Sequence, residues 1–330
     1  MVRTEPSFNL WNAPWITLER TDGILAHAGI EETLLRADEF RAIYDPSPLV
    51  IAGIHRLLVA ILQDTFDPQR PPDLHRLWAA GRFPEDEIQG FGEQYARRFD
   101  LFSEDAPFLQ SADLPREPPK RARLKTVTYL MPQIPAGSEV THYRHGVAED
   151  TVFCPTCAAR GLFTIPAFAT SGGAGIRPSI NGVPPIYVLP GGKSLFESLV
   201  ASLVLPDYQP QAASITEEGV WWRREPLVKR KAIVHEVSYL HSLTFPARRV
   251  RLHPEPLHRP CSRCGRESVW GIRTMIYKMG ESRPKDTSFW FDPFAAYRIR
   301  GKKDPVPIRP LEGKALWREF VGLFLSQTSK

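Results

Sequence analysis

Cys154-Pro155-Thr156-Cys157 and Cys261-Ser262-Arg263-Cys264-Gly265 hold all four cysteines of the chain, and their reading decides the fold. Each is a C-x-x-C pair, and the glycine after the second permits the tight turn that aims backbone N–H groups at sulfur. Cys154, Cys157, Cys261 and Cys264 together supply the ligand set of a closed tetrahedral zinc site. That is the structural kind, because catalytic zinc keeps one position open for water. Such sites stabilise peptide folds by roughly 10–16 kcal/mol. Here the metal would close a loop of about a hundred residues, from Cys157 to Cys261. Two other readings stay open. A pair of disulfides suits a secreted chain, and the opening MVRTEPSFNLW shows no apolar signal-peptide core. A redox pair wants a strand-to-helix setting, which the flanks of neither pair display.

Working outward, 330 residues are enough for one large domain or two ordinary ones. No apolar run is expected to reach the length of a membrane span. The formal charge of +5 permits a polyanionic partner without requiring one. The 32 prolines, concentrated after residue 105, favour ordered loops and short strands over long helices. The expected class is α+β: residues 1–105 mainly helical, residues 106–330 mixed, short-stranded and loop-rich, with the zinc knuckles at 154–157 and 261–264.

Along the chain, Phe8–Ile16 reads as a short strand and turn with aromatic anchors. A helix is expected from Gly29 to about Tyr44, with Glu31 and Glu32 in its first turn. Ser47-Pro48 is a helix start, a hydroxyl cap followed by proline at the first helical position. Ile51, Ile54, Leu58 and Ile61 then recur at helical spacing and mark a core helix. His55, beside that face, is read as a partly buried histidine. Asp73–Ala80 and the stretch opened by Pro84-Glu85 are further helices. Lys120, Arg121, Arg123 and Lys125 form a basic run, ordinarily a solvated face. Met131–Asp150 is a long polar loop containing His142, Tyr143, Arg144 and His145, residue types that suit single-stranded RNA.

Leu162–Phe168 reads as a strand. The glycine-rich stretch Ser171–Gly182 allows a backbone to approach another molecule closely. Gly192-Lys193-Ser194 imitates the end of a Walker A loop, but Tyr187 stands where that motif needs glycine. A capped helix start, leading a helix over Leu195–Leu205, is the better reading. Trp221-Trp222-Arg223-Arg224 and Lys229-Arg230-Lys231 interleave aromatic and basic residues, read either as an exposed strand or turn or as a nucleic-acid contact. Strands are expected over Leu243–Leu252 and Trp270–Met279, a loop over Phe289–Phe294, and a helix from about Glu312 to Leu325. No H-E-x-x-H, G-x-S-x-G or nucleophile elbow occurs. A metal-dependent nuclease built on His142, His145 and Asp150, and a zinc-stapled scaffold that bridges proteins, are the alternatives to a binding subunit.

FNLWNAPWI (8–16), APFLQ (106–110), the loop before the first knuckle, the glycine-rich stretch, WWRREP (221–226) and PCSRCGRES (260–268) occur in this order. The sequence thereby resembles, over nearly all its length, the large subunit of the type I-E CRISPR Cascade surveillance complex. The resemblance implies a non-enzymatic, cytoplasmic prokaryotic subunit that recognises the protospacer-adjacent motif in double-stranded target DNA and helps start the R-loop. It implies structural zinc on Cys154, Cys157, Cys261 and Cys264. A glycine loop at the minor groove would use Gly172, Gly173, Gly175, Arg177 and Asn181. The family's lysine finger falls on Met279, and Lys278 is its substitute here. The loop over Ile134–Val147, with His142, Tyr143, Arg144 and His145, would contact the 5′ handle of the guide RNA. The other implied partners are the backbone, handle-binding and small subunits and a helicase–nuclease effector; no membrane is implied. The family's wedge hairpin and C-terminal four-helix bundle have no counterpart before Lys330, so residues 1–330 correspond to a single N-terminal-type domain.

Overall fold

The apolar run after Ser47 folds as the helix on which most of the structure packs. The structure, a computed structural model, describes residues 5–120, 124–131, 150–171, 175–210, 219–283, 290–299, 301 and 305–310. In chain order its helices are α1 (Ile30–Leu35), α2 (Pro48–Phe66), α3 (Pro71–Ala80), α4 (Glu85–Tyr95), α5 (Pro155–Leu162), α6 (Ile165–Phe168), α7 (Leu195–Val200) and α8 (Tyr239–Leu243). Its strands are β1 (Ile16–Arg20), β2 (Leu25–Ala28), β3 (Phe40–Ile43), β4 (Lys125–Thr126), β5 (Arg248–Pro256), β6 (Trp270–Met279), β7 (Tyr297–Arg298) and β8 (Val306–Pro307). This is a mixed helix-and-sheet fold, as the composition implied.

α2 contacts α4, α5, α6, α7 and α8, and its residues from Ile54 to Gln63 are buried without interruption. It is also the one helix among the described residues long and apolar enough to cross a membrane. The sequence expectation missed this, because the run is interrupted only by Arg56 and by polar residues that the core satisfies. The start at Pro48 is as expected, but the Ser47 hydroxyl makes no cap bond. Instead the Ser47 N–H donates to Asp45 Oδ1 at 2.9 Å, so an aspartate two residues upstream shapes the turn into the helix.

Among the described residues the strands form three antiparallel sheets. β1 lies between β2 and β3, β6 between β4 and β5, and β7 pairs with β8. The expected helix over Gly29–Tyr44 therefore ends early. α1 stops at Leu35, and Phe40–Ile43 turns back to pair with β1, Leu18 opposite Ile43. Phe40 and Ile43 are buried on that sheet, and cross-strand pairing overrides the weak local helical preference.

The expected strand over Leu162–Phe168 is helical instead, the end of α5 followed by α6. Pro166 sits in the first turn of α6, where a missing N–H costs nothing. The Thr164 hydroxyl donates to the Gly161 carbonyl at 2.8 Å. A short run buried on every side has no period that distinguishes strand from helix. α7 stops at Val200, five residues short of expectation; Ser202 and Leu203 donate 3.0 and 3.1 Å bonds that close a turn. Leu243 closes α8, and the strand begins only at Arg248. β6 occupies the expected span. The helix expected over Glu312–Leu325 lies outside the described residues.

One hydrophobic cluster runs from Leu10 through α2 and β5 to Phe294. The WWRREP segment belongs to it. Trp221 and Trp222 are buried, and Trp222 stacks on Phe99 with centroids 5.6 Å apart. Trp222 Nε1 donates to Asp64 at 2.7 Å, Arg223 pairs with Asp64 at 2.6 Å, and Arg224 pairs with Glu281 at 2.6 Å. These four residues thus form a turn, as one reading had it, with the tryptophans buried and Arg223 exposed, and not a stacking platform for bases. Aromatic area of this size is worth more inside the core.

Candidate metal centre and nucleic-acid face

α5 begins inside the first knuckle. Cys154 precedes its first turn, Pro155 opens it and Cys157 lies within it. Phe153, just before, forms an isolated bridge to Ile272 of β6 with bonds of 3.0 and 2.7 Å. The first pair thus follows a single bridge residue and opens a helix, with no strand directly before it among the described residues. The second knuckle connects β5 to β6. Gly265 there has φ +71°, a value that favours glycine, and its N–H closes the turn on the Cys261 carbonyl at 2.8 Å. Val152 and Ser262 join the knuckles through reciprocal bonds of 3.0 and 2.9 Å.

These contacts bring the four sulfurs within 4.8 Å of one another. Cys154 Sγ lies 3.8 Å from Cys264 Sγ, the edge expected of a tetrahedron with metal–sulfur bonds of about 2.3 Å. No disulfide joins them. The Cys154 N–H donates to Cys261 Sγ at 3.2 Å. Crowding divides the thiols. Cys157 is pushed far up by hydrogen bonding with Cys154, then with Cys261 and Cys264. Cys261 is held far down by Cys154 and then Cys157. Cys264 is lowered to about 6, chiefly through Cys157. A bare cluster thus keeps some thiols protonated so that others ionise, whereas a bound dication would let all four be thiolates. The residues fit a metal.

A second ring of contacts ties this centre to the N-terminal sheet. Asp45 accepts from Arg263 at 2.7 Å and from Arg160 at 3.3 Å. Arg160 also donates to the Trp15 carbonyl and to Thr17 Oγ1, at 2.7 and 2.5 Å. The guanidinium charges of Arg160 and Arg263 stand beside a group that would carry net negative charge with metal bound. The sequence reading passed over Asp45 and Arg160; the only local signal was Asp-Pro-Ser ahead of a helix.

A buried ion pair on α2 anchors the glycine-rich stretch. Arg56 makes two 3.1 Å bonds to Asp292, with both side chains 1% exposed. The rings of Tyr187 and Phe294 lie 5.0 and 5.2 Å from the guanidinium. Asn181 Nδ2 contacts Asp292 Oδ2 at 2.7 Å and Tyr187 Oη at 2.9 Å, so Asn181 faces inward through its amide N–H groups. His55 is buried against Ser202 Oγ at 2.8 Å. Burial, then the Arg56 charge, lowers it to about 4.

Of the other expected nucleic-acid residues, Gly172, Gly173, His142, Tyr143, Arg144 and His145 lie outside the described residues. Gly175 and Arg177 are exposed, and Gly175 has φ +78°. The Arg177 N–H points to Met279 Sδ at 3.2 Å, so the stretch meets the end of β6. Lys278 is exposed there too, but alternate side chains of a strand point to opposite faces. Met279 faces the stretch. Lys278 emerges on the other face, opposite Arg249 in register, which pairs with Asp113. Asp150 is exposed and pairs with Arg273 at 3.3 Å; its proposed partners His142 and His145 lie outside the described residues. Gly192-Lys193-Ser194 is a capped helix start: Ser194 Oγ accepts the Glu197 N–H and Glu197 accepts the Lys193 N–H.

The family model of CRISPR-associated protein Cse1 matches residues 9–330. The chain is 33% identical to the CRISPR-associated protein CasA/Cse1 of Thermus thermophilus, over 98% of this chain and 61% of that protein. Its structure is similar to a crystal structure of CasA from Thermus thermophilus, with TM-score 0.72 and 30% identity over 96% of this chain and 61% of that one. It shares its fold with a chain of a CRISPR RNA-guided surveillance complex, with TM-score 0.74 and 21% identity over 96% of this chain and 64% of that one. The chain spans about three fifths of the length of these relatives.

Proposed function

This chain belongs to the CRISPR-associated protein Cse1 family, and from that premise we propose that it is the motif-recognising part of the large subunit of an RNA-guided surveillance complex. It binds double-stranded target DNA beside the site that the guide RNA pairs with, and it helps start the R-loop. Base pairing reads the long sequence and protein reads a short flank, the division of labour of RNA-guided systems. The observation that carries this reading is the meeting of an exposed glycine-rich segment, Gly175–Arg177, with the end of β6 at Met279. A backbone without side chains reaches a narrow minor groove, whose degenerate pattern makes a tolerant reader. Gly172, Gly173, Gly175, Arg177 and Asn181 form this loop, and Lys278 adds a phosphate contact from the opposite face of the strand.

In the same proposal Cys154, Cys157, Cys261 and Cys264 hold one structural Zn²⁺ that fixes the β5–β6 connection to α5. His142, Tyr143, Arg144 and His145 contact the guide-RNA handle. The subunit works without catalysis of its own, in contact with the backbone, handle-binding and small subunits, and it helps recruit the helicase–nuclease. The test is selection of target duplexes with a randomised flank by the complex assembled with guide RNA, compared with the isolated chain. Enrichment of a short flank by the assembled complex alone is the expected result. Salt-sensitive binding of any flank by both samples would overturn motif recognition and leave a zinc-stapled scaffold. Cleavage of DNA by the isolated chain with Mg²⁺ would favour the nuclease instead.

A further inference from the structure

We infer that Lys231 is the cation that meets a duplex phosphate at the Gly175 turn, a contact separate from the one proposed for Lys278 on the other face of β6. The inference rests on the reading of the glycine-rich stretch as a duplex-facing loop, and it comes from a segment that reading did not use. Among the described residues, the only atom within 4 Å of the place a Cβ would take at Gly175 is Lys231 Nζ, 4.0 Å away. A molecule that approaches the bare backbone of Gly175 therefore meets an ammonium group beside it. Lys278, by contrast, leaves β6 on the face where Arg249 pairs with Asp113.

Lys231 is held in this place by its backbone. Its φ is +51°, a left-handed conformation that is strained for a residue with a side chain. Neighbouring pairings impose it. On one side the Ser282 N–H donates to the Ala232 carbonyl and the Val234 N–H to the Ser282 carbonyl, both at 2.9 Å. On the other the Val228 N–H reaches Ser111 Oγ at 3.3 Å. The turn between these clamps presents Lys229, Arg230 and Lys231, all exposed.

The charges around it support the same assignment. Many arginines elsewhere are satisfied: Arg56 by Asp292, Arg160 and Arg263 by Asp45, Arg223 by Asp64 and Arg224 by Glu281, while the buried Arg248 and Arg251 donate to backbone carbonyls. Among the described residues, Arg177, Lys229, Arg230 and Lys231 have no carboxylate within ion-pairing reach. Glu281, the acid that touches this segment, is buried and lies 2.6 Å from Arg224. Unmatched cations beside a bare glycine backbone suit a phosphate backbone, where a lysine acts as a point charge and each phosphate contact releases about 0.9 of a counterion.

The test measures duplex affinity of the assembled, guide-loaded complex between 50 and 200 mM salt, with Lys231→Gly and Lys231→Arg in the chain. Glycine accepts φ +51° without strain, so Lys231→Gly should melt no lower than wild type. It should flatten the slope of log affinity against log salt by about 0.9, which narrows the wild-type advantage about three- to fourfold across that range. It should weaken favoured and disfavoured flanks alike, and Lys231→Arg should restore the wild-type slope. An unchanged slope for Lys231→Gly in a complex that still prefers one flank overturns the Lys231 assignment alone. A wild-type complex with no flank preference overturns the loop reading, and this assignment with it.

Discussion

Replacing Asp292 by alanine should unfold more of this protein than any surface change, because it strands a guanidinium in the core. Arg56 sits on α2 with 1% exposure, and Asp292 receives two 3.1 Å bonds from it. Removing one partner of a buried pair costs about 3–5 kcal/mol, since the remaining charge stays desolvated. Asp292 also accepts from Asn181 at 2.7 Å and from the Phe294 N–H at 3.0 Å, and each orphaned donor adds roughly 1 kcal/mol. The total approaches the net stability of an ordinary domain, about 5–15 kcal/mol. The double variant Arg56→Met/Asp292→Asn removes both charges and keeps an acceptor oxygen for one of those two donors. It should therefore recover at least about 2 kcal/mol relative to Asp292→Ala. Urea unfolding followed by circular dichroism and tryptophan fluorescence measures both, provided the two probes coincide. A cost below about 1 kcal/mol for Asp292→Ala, or a double variant no more stable than the single, would refute the argument that burial of this pair controls its energetics.

Three further outcomes are expected. Cys157→Ser should abolish stoichiometric zinc and lower the melting temperature sharply, because four-thiolate sites contribute folding energy directly; metal analysis that still finds one zinc per chain would contradict the site. Gly53→Ala should lower the urea midpoint by an amount equivalent to about 1–3 kcal/mol despite alanine's better helix propensity. The new Cβ would lie 2.5 Å from the Phe163 carbonyl oxygen, a backbone atom with no freedom to yield, and a stabilised variant would disprove that contact. Acid should weaken the fold through two histidines. His55 is lowered from 6.5 to about 4 and His241 to about 3, each by burial first and then by a neighbouring arginine. The unfolded chain binds these protons below pH 6.5 and the folded chain does not, so the stability is full above 6.5 and lost as pH falls. For His55 the loss reaches roughly 3 kcal/mol by pH 4, and a His55→Gln variant with the same pH profile as wild type would refute it.

Features carried by a local period or by one residue's backbone demand were legible in the sequence. The two knuckles pair as their spacing implied, α2 starts at Ser47-Pro48, and β6 spans Trp270–Met279. The family also follows from the order of short motifs along the chain, which needs no knowledge of contacts. Tertiary structure decided the rest wherever the partner lies far away in sequence. Phe40–Ile43 became a strand because β1 offers it an edge. Leu162–Phe168 became helical because every side of it is buried. Trp221 and Trp222, which in sequence look like a platform for bases, fill a gap among Phe91, Phe99 and Phe108. The same limit applies to charge. The sequence displays Arg56, Arg224 and Lys231 alike as cations, and only the fold shows that Asp292 and Glu281 neutralise the first two and leave Lys231 beside the bare backbone of Gly175. Local propensity is written residue by residue, whereas burial and charge pairing depend on what the folded chain places opposite.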